Sequence, residues 1–226
     1  MKTLLLMRHT KSSWKDAELA DHERPLNKRG KKDAPFMGEL LAEKELLPQI
    51  ILGSTALRIH QTVEGLVLGS SYTDEIVFLD SFYLAEPDAY LSELRTLPDT
   101  IERAMVIGHN PGLEGLLQLL SGRIESLSTG SVAYLSLPVQ SWANLNGETE
   151  GELVELLRPR EAHEAEEKEK EMAKKEKKDQ EDKDKKEKEK EKEREKKDKE
   201  EKEKKDKKDK KEKEEKKDKA EKKRKK

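Results

Sequence analysis

The chain has 226 residues, with 48 Lys and Arg, 50 Asp and Glu, and a formal net charge of −2. It contains no cysteine, which excludes disulfides and thiolate zinc sites, and no apolar run approaches the ~20 residues that cross a bilayer. The small net charge hides a division: residues 161–226 carry 32 basic and 27 acidic side chains, whereas residues 1–160 have a net charge of −7. We therefore predict a folded domain over 1–158 and a Lys/Glu/Asp-rich low-complexity tail over 159–226.

The N-terminal part of the domain begins with a strand, a loop and a helix. Residues 3–7 form a continuous apolar run, typical of a strand buried on both faces. The polar stretch 11–26 is predicted to be a long loop. Asn27 could cap a helix, but Pro35 conflicts with a helix that runs unbroken from Lys28. We therefore expect the main helix to begin near Asp33.

The rest of the domain continues the alternation of strands and helices. Strands are predicted at 49–52, 75–79, 105–107, 131–137 and 151–157, and helices at 56–68, 88–97 and 113–120. This alternation indicates an α/β domain with three layers, in which helices cover both faces of a mainly parallel sheet.

Two arginines and two histidines follow predicted strands. Arg8 and His9 end the first strand, Arg58 follows the second, and His109 follows the strand at 105–107. Ligands of open α/β sheets bind outside the carboxyl ends of the strands, so these four groups are expected to converge. Arginine suits a phosphoryl group because its planar guanidinium donates two parallel hydrogen bonds and stays charged. The pattern therefore predicts a phosphate pocket.

Histidine is the nucleophile that this sequence offers. The chain has no Walker-type phosphate loop, no cysteine and no cluster of carboxylates resembling a metal site. His9 can attack phosphorus only through a ring nitrogen without a proton, and the flanking Arg8 and Arg58 lower the pKa of its imidazole. His109 is expected to donate to the phosphoryl oxygens. A phosphohistidine at position 9 would then be hydrolysed by water.

Four sequence blocks carry a family resemblance. Residues 7–14, MRHTKSSW, resemble the Arg-His-x-Lys-Ser-Ser-Trp opening of SixA-type phosphohistidine phosphatases, a branch of the histidine phosphatase (phosphoglycerate-mutase-like) superfamily. Residues 24–30, 54–62 and 108–114 resemble the branch's later blocks, RPLNKRG, STALRIHQT and GHNPGLE. The resemblance covers about residues 2–157, with the blocks in the right order and spacing.

The resemblance implies a phosphoglycerate-mutase-like fold and a role for each matching residue. His9 matches the phosphorylated nucleophile, and Arg8, Arg58 and His109 match the rest of the phosphate-binding pocket. Thr10 departs from the glycine that is common across the superfamily. The superfamily places a carboxylate acid between the second Arg and the second His; Glu86 or Asp88 are the candidates, and Glu86 is preferred on spacing.

Three functions stay open at this point. The first is a phosphatase for phosphohistidine in proteins, favoured because only 50 residues separate Arg58 from His109 and leave little room for a large lid. The second is a small-molecule phosphomonoesterase, which would need Glu86 as its acid. The third is an inactive domain whose tail recruits partners.

Cofactors, partners and location follow from the same features. The five histidines show no metal-ligand spacing, so neither a metal nor another cofactor is expected. The expected partner is a phosphorylated protein or small molecule, with tail-mediated protein contacts in addition, and neither nucleic acid nor membrane is expected. A cytoplasmic location is expected because the first strand begins too early for a signal peptide.

Less specific expectations apply to two further histidines, to Trp14 and to the tail. His22 and His60 are expected at the surface or behind the site. Trp14 is expected to be a packing residue bordering the mouth of the site. The tail has almost no apolar residues and cannot form a core, so it is predicted to be either disordered or an isolated helix or coiled coil supported by Lys–Glu pairs.

Overall fold

We describe a computed structural model of the chain. It describes residues 1–178 and, beyond them, the single positions 180, 183, 185, 186, 188, 190, 199, 202, 204, 205 and 207. The chain divides into two units, Met1–Ala165 and Glu166–Lys226. The first unit contains the sheet and the pocket described below. In the second unit the described residues are helical, and most of the prediction about the tail lies outside the described residues.

The centre of the first unit is a six-stranded mixed sheet. Its strands, in chain order, are β1 (Lys2–Arg8), β2 (Ile50–Ser54), β3 (Glu75–Leu79), β4 (Arg103–Gly108), β5 (Val132–Leu137) and β6 (Glu152–Leu157). The order across the sheet is β3-β2-β4-β1-β5-β6. β1, β2, β3 and β4 run parallel, and β5 runs antiparallel to its neighbours β1 and β6. All six predicted strands are present, and the predicted mainly parallel sheet is confirmed.

Helices cover both faces of the sheet. They are α1 (Lys28–Glu43), α2 (Leu57–Ser70), α3 (Pro87–Leu94) and α4 (Gly112–Ser121). A fifth helix, α5, starts at residue 159. Successive side chains of β1 point to opposite faces. Accordingly, Leu5 and Met7 share a core with residues of α1 and α2, whereas Leu4 and Leu6 share a core with residues of α3 and α4. The three-layer α/β arrangement is therefore confirmed.

The start of α1 differs from the prediction. The helix begins at Lys28, where the Asn27 side chain accepts a hydrogen bond from the Gly30 amide at 2.9 Å, and it continues through Pro35. Proline removes the donor for the carbonyl four residues earlier, here at the exposed residue Lys31, where water can replace it. The helix packs closely against α2, with Gly38 against Leu66 and Ala34 against Gly65. The expectation of a start near Asp33 was therefore wrong.

The strand order places three carboxyl ends side by side. β4 lies between β1 and β2, with Arg8 of β1 in register with Gly108 of β4, and Gly53 of β2 in register with Ile107. The residues that follow these strands therefore emerge at one edge of the sheet. None of the described helices is long and apolar enough to cross a membrane.

Candidate active site

A pocket of about 170 Å³ lies at this edge of the sheet and brings the four predicted groups together. Arg8 ends β1, His9 follows it, Arg58 lies in the first turn of α2, and His109 follows β4. The pocket is lined by Arg8, His9, Lys11, Ser12, Trp14, Asp21, Arg24, Arg58, Leu84, His109, Asn110 and Thr129.

The His9 imidazole is held in one tautomer. Its Nδ1 lies 2.7 Å from the backbone carbonyl of Thr10, and because a carbonyl only accepts, Nδ1 carries the proton. In the neutral ring this leaves the lone pair on Nε2. Burial lowers the pKa of His9 to about 4, against the opposing effect of the Thr10 carbonyl and with help from Arg58 and two further arginines. At neutral pH the ring is therefore an uncharged base whose lone pair is on Nε2.

The His109 imidazole is held in the opposite tautomer. Its Nδ1 lies 3.2 Å from Arg58 Nη2, and its Nε2 lies 3.0 Å from Ser54 Oγ. A guanidinium only donates, so Nδ1 accepts and Nε2–H donates to Ser54. Burial, followed by the charge of Arg58, lowers the pKa of His109 to about 3. The two imidazole rings are 5.3 Å apart, and both are neutral in this pocket.

An aspartate absent from the predicted site bridges two arginines of the pocket. Asp21 Oδ2 accepts from Arg58 Nη2 at 2.9 Å, and Asp21 Oδ1 accepts from Arg24 Nη1 at 2.6 Å. Tyr83 donates to Oδ2 at 3.0 Å. Burial raises the pKa of the Asp21 carboxyl, but the bonds from Arg24 and Tyr83 and the charge of Arg58 outweigh it and lower the pKa to about 2. Asp21 is therefore ionised at neutral pH.

Arg24 is another charged residue of the pocket that was not among the predicted site residues. Its guanidinium donates to the Ser13 carbonyl at 3.0 Å and to Ser12 Oγ at 2.9 Å, in addition to its bond to Asp21. It also lies over the Trp14 ring, 3.1 Å from the ring centroid. The block at 24–30 contained the signal for Arg24, because it was one of the four matching blocks. Asp21 has no comparable signal.

Arg8 lines the pocket and has a buried donor that is still available. Its Nη1 donates to the Leu127 carbonyl at 2.9 Å, which also accepts from Asn110 Nδ2 at 3.0 Å. The buried Nε of Arg8 has no hydrogen-bond partner among the described residues. A bound oxyanion would satisfy this donor.

The predicted acid residues lie elsewhere. Glu86 immediately precedes α3 and lines a neighbouring pocket of about 410 Å³ with Glu114 and Glu125, and Asp88 lies in the first turn of α3. Neither is among the residues that line the pocket around His9. Asp21 is the carboxylate that the structure places there.

The remaining histidines lie behind or away from this pocket. His22 Nε2 is 3.1 Å from Thr55 Oγ1, and its ring meets Tyr83 edge-on, while His60 stacks on Phe78. Within the described part of the chain, no group of three or more His, Asp or Glu side chains is arranged to hold a metal ion.

Known proteins resemble this chain in sequence and in fold. No family model matches it. An uncharacterised chloroplastic protein of Arabidopsis thaliana is 34% identical over 171 residues, covering 70% of this chain and 78% of the relative. An uncharacterised protein of Mycobacterium leprae is 28% identical over 169 residues, covering 68% of this chain and all of the relative.

Solved structures share the fold of this chain. The SixA protein of Agrobacterium tumefaciens is 27% identical, with a TM-score of 0.60 over 70% of this chain and 98% of that one. The protein histidine phosphatase SixA in complex with tungstate shares the fold at 21% identity, with a TM-score of 0.62 over 71% and 99% of the two chains. The structural neighbours are phosphatases of one superfamily. This chain has the fold of the histidine phosphatase superfamily and is similar in sequence and fold to a SixA-type member of it.

Proposed function

We propose that this protein is a phosphatase that forms a phosphohistidine on His9 and acts on phosphohistidine side chains of other proteins. The observation that carries the proposal is the tautomer of His9. Its proton is held at Nδ1 by the Thr10 carbonyl, so Nε2 offers a lone pair inside a pocket lined by three arginines.

The arginines would bind the phosphoryl group first. Arg8 has a buried donor that bonds to none of the described residues. Arg58 and Arg24 are charged groups of the same pocket, now paired with Asp21. An incoming phosphoryl group competes with the Asp21 carboxylate for these two cations. Catalysis of phosphoryl transfer depends mostly on such positioning and charge stabilisation.

Transfer to His9 would then proceed without added protons. His9 Nε2 forms a bond to phosphorus as the bond from phosphorus to the substrate imidazole breaks, and the electron pair of that bond stays on the leaving nitrogen. When the substrate imidazole carries a proton on its other nitrogen, it leaves as a neutral ring. The positive charge then appears on the His9 ring, where the Thr10 carbonyl at Nδ1–H stabilises it.

Water would complete the cycle. It attacks phosphorus, the bond to Nε2 breaks, and its electron pair returns to the ring, which gives neutral His9 and inorganic phosphate carrying both water protons. The route uses no metal and no other cofactor. His109 Nε2–H is directed at Ser54, and Nδ1 accepts from Arg58. His109 can therefore donate to the phosphoryl oxygens only if Arg58 turns to the bound anion and Nδ1 takes up a proton, which the anion favours.

The lack of a protonated carboxyl group among the described residues of the pocket supports a phosphohistidine substrate over an ester. An ester leaves as an alkoxide, which needs a proton from a general acid. Asp21, the carboxyl group in the described pocket, is ionised at neutral pH, and Glu86 lines the neighbouring pocket. A phosphorylated imidazole needs no such acid, because a proton on its other nitrogen lets it leave as a neutral ring.

Trapping the phosphoenzyme tests the proposal. The full-length chain is mixed with a radiolabelled phosphohistidine peptide, and acid-labile, base-stable label on the protein is measured. We expect label on the wild type and on the control His60→Ala, and none on His9→Ala. Labelling that survives in His9→Ala would overturn the proposed nucleophile, and no label from any donor would favour an inactive domain.

Substrate comparison separates the remaining alternative. We expect turnover of the phosphohistidine peptide and no comparable turnover of a phosphoserine peptide or of sugar and glycerate phosphates. The reverse pattern, with ester hydrolysis abolished by Glu86→Gln, would establish a small-molecule phosphomonoesterase instead.

A further inference from the structure

The mouth of the phosphate pocket carries two exposed apolar side chains. Trp14 is 74% exposed and Leu84 is 57% exposed, and both line the pocket that contains His9. The other tryptophan of the chain, Trp142, is completely buried. Leu84 has a φ of 50°, in the left-handed region that residues with a side chain rarely adopt. Such conformations are concentrated at ligand-binding sites.

The Trp14 ring is held in place from one side. The Arg24 guanidinium covers one face, 3.1 Å from the ring centroid, and Arg24 is itself fixed by Asp21, Ser12 and the Ser13 carbonyl. Because the residue is still 74% exposed, the opposite face is open to solvent. A fixed ring with one open face binds a second flat ring at little entropic cost.

The pocket itself is too small to enclose a complete substrate. Its volume of about 170 Å³ is below the ~300–1,000 Å³ of pockets that enclose drug-sized ligands. The phosphoryl group occupies the cationic interior, so the group that carries it stays at the mouth, where Trp14 and Leu84 lie.

We propose that Trp14 and Leu84 form a leaving-group subsite for a flat nitrogen heterocycle, the imidazole of phosphohistidine, which stacks on the open face of the indole. The inference rests on the proposed function and adds the feature that selects its substrate. The protonated imidazole also gains from the negative face of the indole. An aliphatic phosphoester has no ring to place there.

Binding measurements on two non-hydrolysable ligands test the subsite. A peptide with a phosphono-triazole side chain carries the ring, whereas methylphosphonate carries the phosphoryl-like group alone. In the wild type and in Trp14→Ala, Kd is measured for both ligands by calorimetry. We expect Trp14→Ala to weaken the triazole ligand relative to methylphosphonate by about three- to tenfold, the worth of one aromatic pair, and Trp14→Phe to restore most of the difference.

Leu68→Ala is the matched control. It removes an apolar side chain that is 79% exposed on α2, and the ratio of the two Kd values should not change. Equal weakening of both ligands by Trp14→Ala would overturn the subsite, because Trp14 would then act only by positioning Arg24. No weakening of either ligand would also overturn it.

The binding test separates this inference from the proposed function. A ring-dependent loss in Trp14→Ala together with no His9 phosphoenzyme would support the subsite and overturn the proposed function. A His9 phosphoenzyme together with a ring-independent effect of Trp14→Ala would do the opposite.

Discussion

The Thr10 hydroxyl donates a hydrogen bond to the Thr62 hydroxyl across 3.2 Å. Thr62 Oγ1 donates its own proton to the Arg58 carbonyl at 2.7 Å, so Thr10 must be the donor in the bond between the two hydroxyls. The same oxygen accepts the Thr10 amide at 3.2 Å. The residue beside His9 is thereby tied to the helix that carries Arg58, which gives Thr10 a role where the superfamily commonly has glycine.

Thr62→Val should destabilise the protein more than Thr10→Ala. Both residues are fully buried, and valine at position 62 leaves the amide and the hydroxyl of Thr10 unpaired, at a cost of about 1–3 kcal/mol each. Thr10→Ala leaves its amide bonded to Thr62 and should cost about 1 kcal/mol from the lost hydroxyl. Urea denaturation of the full-length chain measures both free energies of unfolding; equal losses would contradict the bonding scheme.

The two histidines of the pocket should make the protein less stable as the pH falls below 6.5. Their pKa values in the folded protein are about 4 for His9 and about 3 for His109, whereas an unfolded histidine titrates near 6.5. Between 6.5 and the folded pKa the unfolded chain binds these protons and the folded chain does not. Each histidine therefore lowers the free energy of unfolding by about 1.4 kcal/mol per pH unit.

Substitution checks this pH dependence. Denaturation between pH 6.5 and 4.5 should show a slope reduced by about one proton in His9→Gln and in His109→Gln, and an unchanged slope in His60→Ala. A wild-type slope in the two glutamine variants would show that these imidazoles are not held neutral by the fold.

The sequence predicted correctly those features that depend on local patterns of residues. The strands could be predicted because apolar runs such as 3–7 are buried on both faces, and Arg8, His9, Arg58 and His109 converge because each lies at or just after the carboxyl end of a strand in a parallel set. Asp21 was not predictable, since it comes from the loop at 11–26, whose course depends on tertiary contacts such as the pairing of Ser12 with Leu26.

Two other differences between prediction and structure also arise from features that no local sequence pattern shows. The continuity of α1 through Pro35 depends on its packing against α2, which no local pattern records. Glu86 was preferred as the acid by its position along the chain, but between Leu84, with its φ of 50°, and the start of α3 at Pro87 it becomes part of the neighbouring pocket.

Asp21→Asn should tighten the binding of inorganic phosphate. The carboxylate is 2.6 Å from Arg24 and 2.9 Å from Arg58, so it competes with an oxyanion for the same cations. Removing a partly exposed negative charge of this kind should lower Kd about two- to fivefold at low salt, and less at high salt. Calorimetry measures Kd, with Glu64→Gln, at an exposed position of α2, as the control for loss of one charge. Weaker binding by Asp21→Asn would mean that Asp21 chiefly positions the arginines.

The first turns of α5 pack against the sheet domain through His163. The compact unit that contains the sheet extends to Ala165 and so includes these turns. The His163 ring stacks on Phe36 with centroids 3.7 Å apart, and its Nε2 is 3.6 Å from the buried Asp33 carboxylate, which also pairs with Arg29. We expect His163→Ala to lower the free energy of unfolding by about 0.5–1.5 kcal/mol, the contribution of one aromatic pair.

A matched variant and a second substitution show whether that loss comes from the ring contact. Glu169→Ala, at an exposed position outside the sheet domain, should leave the free energy of unfolding unchanged. Phe36→Leu keeps an apolar side chain but removes the stacking partner, so His163→Ala should cost less in that background. Because the cost of two contacting residues is not additive, a full cost of His163→Ala in the Phe36→Leu background would place its contribution at Asp33 instead of Phe36.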